Sequence, residues 1–263
     1  KNIIEWALLL PLALPSYIVA YCYTDFFEYS GVVQTILRDL FNFSSPSDYY
    51  FPEIRSLGGA VFVISFVLYP YVYLITKVAF KSTPSSLIEF AEISGKNIFY
   101  FVSLPLAKPA IVAGLSLVLM ETVSDFGTVD FFAVETITLG IFNLWLGMNN
   151  LASASQLALV GFTFVIVLLA LELYARKKQK FNDSKFNTHN FFNKKVSKSS
   201  NILIFLICLT PISLGFFIPV LILFENCINY FHLENFTELS KIAQNSFFIS
   251  LITAIIIILL SLI

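Results

Sequence analysis

Two carboxylates, Glu121 and Asp125, stand four residues apart near the end of an apolar stretch that follows Lys108. Four-residue spacing puts both on one face of a helix. A carboxylate near the bilayer centre costs about 2.5–3.5 kcal/mol on insertion scales, so that face turns to protein or a water-filled cavity, not lipid. Two roles fit the pair. One is structural, with hydrogen bonds to Thr122, Ser124 or nearby backbone. The other is a weak, transient waystation, since hard carboxylate oxygens attract hard cations and tight chelation would prevent release. Asp130 and Glu135 extend the acidic cluster. Other chemistry finds few residues to carry it. Cys22, Cys208 and Cys227 lack the spacing of a zinc site or a disulfide framework. His189 and His232 lie far from each other and from any acidic-histidine motif, and they form no catalytic constellation, which argues against a membrane enzyme. Ser94-Gly95-Lys96-Asn97 is no phosphate loop, because Phe90 stands where its first glycine belongs and Asn97 where Ser or Thr should be. No firm metal site and no cofactor are expected, and any ATP must be hydrolysed by another chain.

The elements that must hold these residues follow from composition. The 263 residues are 57% hydrophobic and 13% charged, with a mean hydropathy of +0.82. A soluble domain carries about 25% charged residues. Charges are segregated, leaving uncharged runs at 6–24, 56–76, 136–171, 199–224 and 242–263, and about 20 helical residues cross the hydrocarbon. The expected class is an all-α, polytopic membrane protein, not a barrel, whose strands would alternate. A net charge of −1 offers no general footprint for nucleic acid. Lys1 ahead of an apolar run resembles a secretory signal, but Tyr21 and the missing small-residue cleavage site favour a membrane span. Both ends read as cut.

Charge also predicts the threading. Lys77, Lys81, Lys96 and Lys108 crowd residues 77–108, while Arg176, Lys177, Lys178, Lys180, Lys185, Lys194, Lys195 and Lys198 crowd 176–198, out of 16 basic residues in all. The positive-inside rule makes both loops cytoplasmic. Residues 25–56 and 225–241 are acidic by comparison and are placed outside. Six crossings satisfy this parity: 6–24, 56–76, 109–128, 152–174, 201–224 and 242–263. Residues 131–150, broken by Gly140, Gly147, Asn149 and Asn150, are expected to form a short helix or re-entrant segment on the external side. Such backbone survives at membrane depth only when covered by protein or lining a cavity.

The cytoplasmic stretch 82–109 reads STPSSLIEFAEISGKNIFYFVSLPLAKP. Thr83 is expected to cap a helix with Pro84 at its first position. Leu87, Phe90, Ala91 and Ser94 form its less polar stripe, with Glu89, Glu92 and Lys96 opposite. Gly95 stops it. Ile98–Val102 is expected to form a second short helix ended by Pro105, and Pro109 to start the next span. By pattern alone this is either a helix lying at the headgroup boundary or a docking helix for a partner.

Glu89-x-Ala91-x-x-x-Gly95 followed by Leu104-Pro105 resembles the EAA motif of permease subunits of type I ABC importers, with Phe90 in place of the first alanine and a shorter spacing to Pro105. The stretches VLYPYVYLITKVAF, YYFPEIRSLGGA, LPLAKPAIVAGLSLVLMETVSDFGTVDFFAV and GIFNLWLGMNNLASASQLA resemble the ferric-iron permeases of that family. The resemblance implies that Glu89, Ala91, Gly95, Leu104 and Pro105 belong to a coupling loop seated on a cytoplasmic ATP-binding subunit. It implies an external, periplasmic substrate-binding protein, a bacterial inner-membrane location and ferric iron as cargo. Glu121 and Asp125 would then line the translocation path. It also implies two homologous halves: residues 1–180 as the first, 181–200 as a basic cytoplasmic linker, and 201–263 as the opening of the second, whose own EAA loop would lie beyond Ile263. Thiamine, polyamine, sulfate and molybdate permeases share the frame and remain alternatives. An ion-coupled secondary transporter would use the same carboxylates but needs no ATPase-docking loop.

The threading is testable in intact cells with an impermeant thiol reagent. Ser45→Cys is expected to label, while Ser86→Cys and Ser184→Cys stay protected until the membrane is opened; the reverse pattern overturns the orientation.

Overall fold

A computed structural model describes residues 2–177, 198–230 and 236–261, and among them there is no strand. They fall into two compact units, Lys1–Val220 and Leu221–Ile263. The expected linker 181–200 lies almost wholly outside the described residues. Among the described residues, five helical stretches are long and apolar enough to cross a membrane: Leu57–Lys81, Phe99–Ser124, Leu151–Leu171, Ile202–Asn229 and Thr237–Ser261. They match the last five expected crossings.

The expected first crossing is not a single helix. Helix α1 (Asn2–Ala7) stops, a 3-10 turn covers Leu10–Ala13, and α2 (Ser16–Phe27) starts afresh after Pro15. Pro11 and Pro15 each lack an amide N–H and crowd the preceding turn, and around this pair the helix gives way. Twelve residues rise only about 18 Å, short of the hydrocarbon thickness. Nor does α2 face lipid all round. Val19, Ala20, Cys22 and Tyr23 are at most 1% exposed. Val19, Ala20 and Tyr23 pack against Ala60, Val63, Ile64 and Val67 of α4 (Leu57–Lys81) and against Phe132.

Helix α4 is the axis of the first unit. Ser56 caps it by accepting from the Gly59 N–H (3.3 Å). Its Tyr69 hydroxyl donates to the Leu8 carbonyl (2.7 Å), and Lys77 pairs with Glu5 (2.7 Å), so the start of the broken first segment is tied to this helix at two points. Lys77 holds the exposed Glu5 carboxyl below its ordinary range. The third crossing, α6 (Leu104–Ser124), lies so close to α4 that a Cβ on Gly114 would stand 2.7 Å from the Val72 Cα. Small residues allow such backbone approach in membranes, where lipid tails give helices no hydrophobic reason to associate. Helix α9 (Leu151–Lys177) packs on α6. Helix α10 (Lys198–Ile212), with the π turn Ser213–Phe217 that follows it, reaches α4; the Tyr23 hydroxyl donates to the Leu214 carbonyl there. The acidic loop 25–56, expected as a plain connection, holds a further helix, α3 (Val32–Phe41), ended by Asn42 in the left-handed region at φ 53°.

In the second unit, the last helix (Phe236–Ser261) opens on polar residues and turns mainly apolar from Phe247, and every residue whose burial is described is exposed except Ser240.

The α4–α6 crossing sets a stability test in detergent. Gly114→Ala forces a methyl against backbone and is expected to cost about 1–3 kcal/mol, read as a lower Tm. Gly58→Ala, whose Cβ meets only the Ser56 hydroxyl at 3.7 Å, is expected to leave Tm level or higher. Equal melting of the two variants would mean that the crossing is not tight.

Candidate functional site

The first candidate region is the loop between the two crossings α4 and α6. Ser82 and Thr83 end α4 rather than start the next helix: both hydroxyls donate to the Ala79 carbonyl, at 2.9 and 3.5 Å. Helix α5 (Ser85–Ile93) therefore begins one residue later than expected, with Pro84 at the capping position and no side-chain cap. Its buried face is also turned by one residue, about 100°. Ile88 and Ala91 are buried, whereas Leu87, Phe90 and Ser94 of the expected stripe are exposed. Phe90 and Ile93 stand 66% and 87% exposed, beside the exposed Glu89. The helix thus presents an apolar and acidic face outward.

Gly95 ends α5 as expected, at φ 65°. The Gly95 N–H donates to the Glu92 carbonyl (3.0 Å) and the Lys96 N–H to the Ala91 carbonyl (2.9 Å), the paired bonds of a Schellman turn. Nothing lies within 4 Å of a Cβ at this position, so the requirement for glycine is backbone conformation alone. Asn97 was not singled out in the sequence, yet its side-chain oxygen accepts from the Phe99 and Tyr100 N–H groups (3.0 and 3.4 Å) and caps the next helix. The legible signal was an asparagine two residues after a helix-ending glycine.

The second short helix does not end at Pro105. It passes through a π turn, Phe99–Ser103, straight into α6, and Pro109 lies inside α6 rather than at its start. Pro105 has no N–H for the Phe101 carbonyl, so an α-helical register would leave that carbonyl bare. Within the π turn the Leu104 N–H reaches back five residues, to the Phe99 carbonyl, and the chain continues. Leu104 is half-buried and Pro105 exposed.

The second candidate region is a cavity of about 330 Å³ where α2, α4 and the end of α6 meet. Leu14, Tyr17, Tyr71, Glu121, Ser124 and Asp125 are among its walls. Glu121 and Asp125 both line it, although they do not share a helix face. Helix α6 stops at Ser124, and Asp125 is extended at φ −70°, ψ 114°. Asp125 is a cap: one oxygen accepts from the Thr128 N–H (3.0 Å) at the start of α7 (Gly127–Phe131), the other from the Ser16 hydroxyl (2.8 Å). These partners differ from the expected Thr122 and Ser124, whose hydroxyls instead bond carbonyls of their own helix. Among the described residues nothing donates to the exposed Glu121 carboxylate, and no group of three or more His, Cys, Asp or Glu could hold a metal ion. Residues 131–150 are broken as expected, into α8 (Ile137–Phe142) and a π turn, Asn143–Gly147.

A third region is the large cleft, about 940 Å³, over loop 25–56. Arg55 ties it together, pairing with Glu28, donating to the Phe131 carbonyl (3.2 Å) and lying 5.1 Å from that ring's centre. Arg38 and Gln34 of α3 anchor it through Tyr49.

Residues 1–180 match the family of binding-protein-dependent transport system inner membrane components. The Fe(3+)-transport system permease protein FbpB 2 of Haemophilus influenzae is 26% identical over 205 residues, covering 75% of this chain and 40% of that protein. A Salmonella typhimurium protein provisionally named as the 2-aminoethylphosphonate transport system permease PhnU is 26% identical over 166 residues, covering 61% of this chain and 57% of that protein. The spermidine/putrescine transport system permease protein PotB of Haemophilus influenzae is 28% identical over 184 residues, covering 68% and 63%. The chain thus spans less than two thirds of the length of these relatives, and no solved structure matches it. With the family model covering well over half of its residues, and five helices fit to cross a bilayer, the chain belongs to the binding-protein-dependent transport system inner membrane components and is a multi-pass membrane protein.

Proposed function

We propose that this chain is the membrane permease part of an ATP-driven importer, moving ferric iron handed over by an external binding protein. The observation that carries the reading is α5, a short helix between two crossings, locked by a Schellman turn, with Glu89, Phe90 and Ile93 facing outward. A helix so exposed and so firmly terminated suits a groove on another protein, here a cytoplasmic ATP-binding subunit. ATP-driven closure of that subunit moves the loop, and α6, continuous with it through the π turn, transmits the movement to the cavity holding Glu121 and Asp125. The cleft over loop 25–56 is the docking face for the binding protein. Residues 181–200 link this half to a second half that begins near 201.

Iron rests on the name of one relative and on the carboxylates. A second reading, a polyamine, draws on PotB, and an organic polycation suits the same carboxylates. An anionic phosphonate fits a cavity edged by Glu121 and Asp125 less well. Competition of labelled ferric-iron uptake by excess spermidine separates the two cations.

Two sets of variants test the mechanism. Glu89→Ala and Gly95→Asp are expected to insert normally, to abolish transport and to weaken association with the ATP-binding subunit; Asp at Gly95 meets a left-handed backbone costing roughly 1 kcal/mol or more. Normal transport by both variants would leave α5 as an interfacial helix only. At the cavity, Glu121→Gln removes charge but breaks no bond seen among the described residues. Iron uptake is expected to fall while stimulation of ATP hydrolysis by the docked binding protein persists. Asp125→Asn cannot accept both of its bonds and is expected to lower Tm by the equivalent of about 0.5–2 kcal/mol as well. Unchanged uptake in the double variant removes the carboxylates from the path.

A further inference from the structure

The mechanism leaves unused a groove of about 530 Å³ between α4 and α6, at the end of these helices that carries the basic loop 77–108. Its floor is apolar, formed by Val72, Phe80, Phe99, Leu104 and Ile111, and its mouth holds Lys77, Lys81 and Glu5. Lys77 and Lys81 are one helical turn apart and therefore side by side. Glu5 serves both, at 2.7 Å from Lys77 and 3.8 Å from Lys81, so two ammonium groups share one carboxylate. The mouth keeps an excess positive charge directly above a hydrocarbon-lined slot.

We propose that this groove binds one anionic phospholipid of the cytoplasmic leaflet, with its phosphate at Lys77 and Lys81 and an acyl chain along the apolar floor. Three observations select this occupant. Uncompensated charge at the mouth calls for an anion. The apolar floor requires that the anion carry a hydrocarbon tail. The basic loop places the mouth at the leaflet whose anionic lipids attract juxtamembrane lysines, and basic pockets between membrane helices on that side take lipid headgroups. Its volume lies within the range of small-molecule sites. A bound lipid would fill the wedge beside the π turn, where α6 leaves the coupling loop. The inference needs only a membrane protein threaded by its charges; it holds or fails independently of cargo and of the ATP-binding subunit.

The test is lipid retention by the purified full-length protein in neutral detergent, titrated with phosphatidylglycerol or phosphatidylcholine and read by native mass spectrometry. Phosphatidylglycerol is expected to bind at least tenfold more tightly. Lys77→Gln and Lys81→Gln are each expected to weaken it about fivefold, the value of one lysine at an anionic surface. Glu5→Gln breaks the same ion pair as Lys77→Gln but raises the charge of the mouth, so it is expected to tighten binding by about the same factor. A merely structural ion pair would make both variants weaken binding alike, and that result overturns the proposal. So does equal binding of the two lipids. Displacement by inorganic phosphate or glycerol 3-phosphate would identify a free-phosphate site instead. Absence of any bound phosphatidylglycerol overturns the proposal as well.

Discussion

A carbonyl that loses its partner inside hydrocarbon has no water to turn to, and the placement of prolines is governed by that constraint. Around Pro11 and Pro15 the chain gives up the helix, and the first apolar segment is split into short elements. At Pro105 the helix survives, because a π turn lengthens the hydrogen-bond step from four residues to five just before the proline. The same device recurs ahead of Pro219, where the Ile218 N–H reaches the Ser213 carbonyl. Pro70 lies inside α4 with no such turn, so a proline by itself does not decide between a broken segment and a crossing of full length.

That solution has a mechanical consequence. Because the π turn keeps Phe99–Ser124 continuous, the helix that leaves Asn97 in the loop after α5 runs unbroken to Glu121 at the cavity. A rigid element joins the surface where a partner would push to the place where cargo would pass. On its far side Asp125 terminates the rod and caps the next helix. One acidic residue is consumed by structure, and its neighbour Glu121 is left to the cavity. Each Asp125 oxygen already accepts one hydrogen bond, from Ser16 and from the Thr128 amide, so Asp125 has a structural duty that Glu121 lacks.

The outward face of α5 follows a similar division. Ile88 and Ala91 hold the helix to its own chain, and the larger Phe90 and Ile93 remain exposed. Two large apolar side chains beside a carboxylate, on a loop rich in charge, are arranged for contact with something other than water.

Composition and charge order were enough to determine an all-α membrane chain, the places of five crossings and the glycine that ends α5. Each depends on properties that act residue by residue: transfer free energy along a run, and the absence of a Cβ at a left-handed position. The Asn97 cap was legible on the same grounds. Tertiary structure alone decided the rest. Whether Pro105 ends a helix depends on whether the register can shift, and no propensity records that. Which side of α5 is buried turned by one residue, because Ile88 and Ala91 fit the available surface while Leu87 and Phe90 point away from it. Asp125 took its bonds from Ser16 and Thr128, and Ser16 is more than a hundred residues distant in the chain. Helical periodicity places residues around one axis; it says nothing of where that axis stops or what lies beside it.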